Sequence, residues 1–175
     1  MRRVLVMGCS GSGKSTFAKA LADRVGLPYV SLDGLFWKPG WVEPDKADFG
    51  ALVLREADRP AWIIDGNFTN HGGAERRRES ADTVFWFDLP RRVCMTGVLR
   101  RIASTYGRVR PEMAAGCPER LDLDFLRWVW TYRRDQRPKQ VAYLDRLRPD
   151  QTLVTFTSRR QANAYLARLR AAKAH

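Results

Sequence analysis

Short apolar runs alternate along this chain with stretches whose apolar residues recur at helical spacing. Arg3–Met7 is a compact β-branched run, the pattern of a buried strand. Lys14–Val25 places Phe17, Ala18, Leu21, Ala22 and Val25 on one helical stripe. Pro28–Leu32 reads as a second strand, and Asp45–Asp58 as a helix with Phe49, Leu52 and Val53 at helical spacing. A third strand spans Ala61–Ile64, a short polar helix 73–80, and a fourth strand Thr83–Phe87. A helix follows from about Pro90 to Tyr106, because proline is tolerated in a first turn.

Residues 107–120 hold two glycines and two prolines without a period, the pattern of a loop or lid. Asp122–Gln136 is helical, with Phe125, Trp128, Val129 and Tyr132 on one face, and Pro138 should break or kink it. Thr152–Phe156 is a fifth strand and Arg159–Arg170 a last helix. The alternation predicts an α/β domain, one unit over residues 1–175, with a parallel sheet covered on both faces. No repeat and no low-complexity linker interrupts it.

One segment carries specific chemistry. Gly8-Cys9-Ser10-Gly11-Ser12-Gly13-Lys14-Ser15 matches the phosphate-binding pattern G-x-x-x-x-G-K-[ST], between a predicted strand and a predicted helix. Gly8, Gly11 and Gly13 let backbone N–H groups approach phosphate, with Ser10 and Ser12 between them. Lys14 is a mobile cation for the β- and γ-phosphates, and the Ser15 hydroxyl can ligate Mg²⁺. Thr16 is counted with this loop, though its first task is the helix start. ATP and Mg²⁺ are therefore the expected cofactors.

Carboxylates at strand ends complete the expected site. Asp65 closes the third strand, where ligands bind in open α/β sheets, and is assigned to the Mg²⁺ shell. Asp33 is expected to end the second strand, to orient the acceptor or act as a weak general base. Its plain alternative is a loop cap. Asp88 is expected to cap the following helix.

Charge sharpens the picture. The net charge is +12, and residues 91–148 carry 14 Lys and Arg against 6 Asp and Glu. Arginine suits planar contacts to phosphate. Arg101, Arg110 and Arg127 are the expected catalytic arginines, with Gly107 and Gly116 as lid hinges. Nucleic acid also attracts such charge, but no recognition motif for it is evident, so it is not the favoured partner. Phe36-Trp37-Lys38-Pro39-Gly40-Trp41 offers either a stacking wall for a planar acceptor or a hydrophobic cluster under a loop. His71 reads as a loop-surface histidine. No apolar run reaches the ~20 residues of a membrane span, and Met1-Arg2-Arg3 leads into too short a run for a signal peptide, so a cytoplasmic location is expected. Cys9, Cys94 and Cys117 form no CxxC pair and read as reduced thiols.

Taken together, the phosphate loop, the Asp after the second strand, Asp65-Gly66, Phe87-Asp88-Leu89-Pro90 and the Arg-rich lid resemble the adenylate-kinase/shikimate-kinase group of P-loop kinases. The segments 32–41, 62–67 and 110–120 look closer still to bacterial DNA topology modulation (FlaR-like) proteins. The resemblance implies a three-layer α/β/α P-loop fold with a five-stranded parallel sheet of order 2-3-1-4-5. It also implies an acceptor-binding segment at about 33–60 and a mobile lid at about 107–120. The expected activity is transfer of the ATP γ-phosphoryl group to a nucleotide, nucleoside or other small hydroxyl acceptor; the alternative is an ATP-regulated nucleic-acid-binding protein affecting DNA topology. Adenylate kinases carry Asp-Gly-Phe-Pro-Arg after the third strand. Here the string is Asp65-Gly66-Asn67-Phe68, without the arginine that would hold an acceptor phosphate, which counts against AMP. With Cys117 its only cysteine, the lid has no zinc site.

Overall fold

The computed structural model describes residues 1–173, with side chains to residue 169. Five parallel strands are β1 (Arg3–Gly8), β2 (Tyr29–Ser31), β3 (Trp62–Asp65), β4 (Thr83–Phe87) and β5 (Thr152–Phe156). They lie in the order β2-β3-β1-β4-β5, as the resemblance implied. Side chains alternate across β1, so Val4 and Val6 enter one core while Leu5 and Met7 enter the other. Each core needs its own helical cover, and the result is a three-layer α/β/α domain.

One core is aromatic. Phe17 of α1 (Lys14–Val25) meets Phe85, Phe87 and Phe156 edge-on at 4.9–5.4 Å. It is closed by α5 (Arg91–Thr105), α6 (Leu123–Asp135) and α8 (Arg159–Lys173). The opposite core holds Trp62, Ile64 and Leu32 with Phe49 of α3 (Lys46–Ala57) and Tyr143 of α7 (Arg137–Leu144). Here the Tyr143 hydroxyl donates to the Ala74 carbonyl at 2.6 Å, at the start of α4 (Ala74–Ser80). Asp45 caps α3 by accepting from the amides of Ala47 and Asp48.

Two expectations need correction, and a third is met with an addition. The second strand ends at Ser31, and Asp33 lies in a one-turn helix, α2 (Leu32–Phe36). Ser31 caps that turn by accepting from the Gly34 amide, while Leu32 and Phe36 are pulled into the core. Pro138 does end α6, but a new helix begins beside it, because a ring without an N–H is harmless in a first turn. Asp88 does not cap α5; both its oxygens accept from Arg137, at 2.8 and 2.7 Å. No described helix is long and apolar enough to cross a membrane. Cys9, Cys94 and Cys117 are free and buried.

Candidate functional site

The loop between β1 and α1 is locked by close backbone packing. A Cβ at Gly8 would sit 2.6 Å from the Phe87 Cβ, and one at Gly11 only 2.2 Å from the Cys94 carbonyl oxygen. Both glycines have positive φ, 148° and 74°. No other residue type meets both demands. From outside, Arg159 at the start of α8 donates to the carbonyls of Gly11 (2.5 Å) and Ser12 (3.2 Å). Those carbonyls turn away, leaving N–H groups free to face phosphate. Cys9 lies beneath the loop; its hydrogen bond with Cys94, then burial, pushes its pKa up, so it stays a thiol.

A second brace had no counterpart in the sequence reading. Asn67 follows β3, and its Oδ1 accepts from the Gly8 N–H while its Nδ2 donates to the Gly8 C=O, both at 2.9 Å. The side chain thereby imitates a strand partner at the point where β1 becomes loop. Buried Arg77 of α4 donates to the Asn67 carbonyl and holds it there.

Lys14 Nζ lies 3.2 Å from Asp65 Oδ1 and 3.3 Å from Ser15 Oγ. Burial lowers the Lys14 pKa, but Asp65 and Asp33 outweigh it, so the ammonium is held charged. Tyr29 donates to Asp65 Oδ2 at 3.1 Å, and burial followed by Asp65 pushes the phenol well above its usual range. Asp65 thus closes β3 pointing at the lysine. The Ser12 hydroxyl is buried without a partner inside the loop.

Beyond the loop opens a cavity of about 640 Å³. Lys14, Ser10 and Asp33 line it. Trp37 and Trp41, 5.4 Å apart at 69°, form one wall. Phe125 and Trp128, nearly parallel at 6.1 Å, form another. His71 also faces it, against expectation, because its ring packs on Phe36, Phe49 and Phe68 at 5.2–5.7 Å.

The segment 107–120 covers the cavity and is tied to the segment after β2. Gly40 N donates to Gly116 O (2.8 Å), and Trp41 Nε1 to Pro118 O (3.1 Å). Ion pairs run through it. Lys19 of α1 meets Glu112 (2.7 Å), Glu112 meets Arg110 (3.0 Å), Arg110 meets Glu119 (2.8 Å), and Glu119 meets Arg101 of α5 (3.0 Å). These partners keep both arginines at the cavity.

The structure therefore gathers Ser10, Lys14, Asp33, Arg101 and Arg110 around one space, with Asp65 and Ser15 beside the lysine. Two expected residues lie elsewhere. Arg127 is exposed and does not line the cavity: α6 turns Val129 and Tyr132 inward, and Arg127 lies about 200° around the helix from Val129. Thr16 is exposed on the first turn of α1, away from the cavity lining. Sequence reasoning quoted Asn67 without a role and overlooked Arg159, Glu112 and Glu119. An amide beside an Asp-Gly strand end was the available signal for the first.

No family model matches the chain. Over 65 residues it is 35% identical to the cytidylate kinase of Nitratidesulfovibrio vulgaris, covering 37% of this chain and 27% of that one. Over 109 residues it is 28% identical to the adenylate kinase of Clavibacter michiganensis subsp. michiganensis, covering 62% of this chain and 53% of that one. The chain thus spans about a quarter to a half of the length of the curated relatives it matches. A shikimate kinase from Bacteroides thetaiotaomicron superposes over 99% of both chains with a TM-score of 0.54 at 17% identity. The fold is that of the P-loop kinases, and the sequence likeness is to nucleoside-monophosphate kinases.

Proposed function

We propose that this protein transfers the γ-phosphoryl group of ATP·Mg²⁺ to a small hydroxyl acceptor. The observation that carries this reading is the pairing of Asp65 with Lys14, which lines a roomy, covered cavity. A hydrolase or simple nucleotide switch has no need of such a space beside the phosphate loop. The partial likeness to adenylate and cytidylate kinases supports the same class. The resemblance to topology-modulation proteins names a phenotype and adds no reaction.

The donor set fits Mg²⁺, which takes few protein ligands and is held largely by substrate phosphates and water. Ser15 and Asp65 would hold it, and when bound it neutralises charge on the β- and γ-phosphates. Lys14 and the loop N–H groups bind the same phosphates. Arg101 and Arg110, kept paired with Glu119, retain guanidinium donors for the transferring group. Asp33, close enough to Lys14 to raise its pKa, orients the acceptor hydroxyl and takes its proton. The acceptor oxygen forms its bond to the γ-phosphorus, the bond to the bridging β–γ oxygen breaks, and ADP leaves. Segment 107–120 acts as the lid that excludes water.

Acceptor-dependent ADP release tests this. Lys14→Ala should lose at least ~10²-fold in kcat, the scale for removing one preorganised stabilising donor, with its circular dichroism unchanged. Turnover retained in a folded variant would sink the reading.

A further inference from the structure

The charges around the cavity constrain its acceptor. Each arginine that lines it is committed. Arg101 and Arg110 share Glu119, whose side chain is only 4% exposed, and Arg110 also holds Glu112. Arg120 pairs with Asp122 at 3.1 Å and lies over the Trp41 ring. Lys14 pairs with Asp65. Among the described residues, three carboxylates face the same space without an ion-pair partner: Asp33, Glu43 and Asp124.

A paired arginine still offers N–H donors to one phosphate, but it brings no net charge to a second. An acceptor phosphate that drew Arg110 fully away would leave buried Glu119 short of a partner, a costly state. It would also meet the carboxylates of Asp33, Glu43 and Asp124 and a bound ATP in the same space, although water screens the exposed Glu43 and Asp124 in part. The aromatic walls favour a ring face and welcome a cation.

Resting on the kinase reading above, we infer that the acceptor is a ring-bearing hydroxyl compound without negative charge, either neutral or carrying a protonated amine, and not a nucleoside monophosphate. Asp33 receives the hydroxyl proton; Glu43 and Asp124 set the sign of the ligand.

The test uses matched probes: adenosine against AMP, and glucose and glucosamine against glucose 6-phosphate. Each is assayed for Lys14-dependent ADP release, and for binding by calorimetry to protein loaded with a non-hydrolysable ATP analogue and Mg²⁺. The neutral or amine-bearing member of at least one set should exceed its phosphorylated partner at least ~10-fold in kcat/KM or affinity. Glu43→Gln with Asp124→Asn should narrow that ratio at least ~3-fold. Preference for the phosphorylated member in either set overturns the assignment, as does failure of all neutral and amine-bearing probes to bind. If no probe elicits Lys14-dependent ADP release but the binding order holds, the kinase reading fails and the charge assignment stands. Glucosamine above glucose selects the cationic form; equality selects the neutral one.

Discussion

At the scale of single residues, the site depends on side chains that touch no phosphate. Asn67 makes two 2.9 Å hydrogen bonds to Gly8, so Asn67→Ala removes these partners of the Gly8 N–H and C=O where the phosphate loop begins. At about 1 kcal/mol per bond the loss is about 2 kcal/mol, or roughly 4–8 °C in Tm for a chain of this size. Calorimetric melting should show it, and affinity for an ATP analogue should fall about 10-fold because the loop is no longer preorganised. Since the role is positioning, KM for ATP should rise more than kcat falls; the reverse split would mean Asn67 contacts the reacting groups. His71 adds a pH signature. Burial first, then Lys46 and Arg77, lowers its pKa below 6.5. Between those two pKa values the unfolded chain binds more protons than the folded one. Stability from this group is therefore complete above about pH 6.5 and drains away as pH falls toward the folded pKa. Urea midpoints of wild type and His71→Phe should converge at pH 7.5 and diverge toward about pH 5, with the variant the less acid-sensitive.

At the scale of elements, segment 107–120, the proposed lid, is strapped to its neighbours. The ion-pair chain from Lys19 to Arg101 fastens it to α1 and α5, and hydrogen bonds from the Gly40 amide to Gly116 O and from the Trp41 indole to Pro118 O fasten it to the segment after β2. Glu112→Gln removes the charge that links Lys19 to Arg110. The pairs are partly exposed, so the effect is modest, about 0.5–1 kcal/mol. Amide exchange across 107–120 should quicken about 2- to 5-fold, and ATP hydrolysis without acceptor should rise by a similar factor. Unchanged exchange would assign the hold to the hydrogen bonds at Gly116 and Pro118 alone. These straps show where sequence reading reaches its limit. The phosphate loop and the strand-helix alternation are local patterns, so they were legible. Ser31 capping Gly34 was legible in principle, and it would have put Asp33 in a helix. The outward turn of Arg127 was also implicit, since the stripe of Phe125, Trp128, Val129 and Tyr132 already claimed the opposite face. The Asp88–Arg137 pair, the Asn67 brace and the Arg159 clamp join residues 49, 59 and 147 or more positions apart, and no local period reports such contacts.

At the scale of the whole molecule, a net charge of +12 invites a nucleic-acid reading, which depends on where the unmatched cations gather. Much of the arginine is spent on neighbours: Arg59 on Glu56, Arg76 on Asp58, Arg137 on Asp88, Arg148 on Asp150. One group without an ion-pair partner among the described residues lies between α5 and α6, where Arg91 sits 4.0 Å over the Trp130 ring beside Arg92 and Arg133. Three such charges neutralise about three phosphates. The expected slope of log affinity against log salt for duplex DNA is then about −3, and affinity should fall roughly 40-fold between 50 and 200 mM salt. Fluorescence anisotropy with a short labelled duplex measures this directly. Arg91→Ala with Arg133→Ala should flatten the slope to about −1, while kinase turnover stays near wild type, because neither side chain lines the cavity. A slope of −6 or steeper would mean that a dedicated nucleic-acid surface assembles from groups beyond this patch, and the weight of the charge would then fall on binding DNA rather than on managing phosphate.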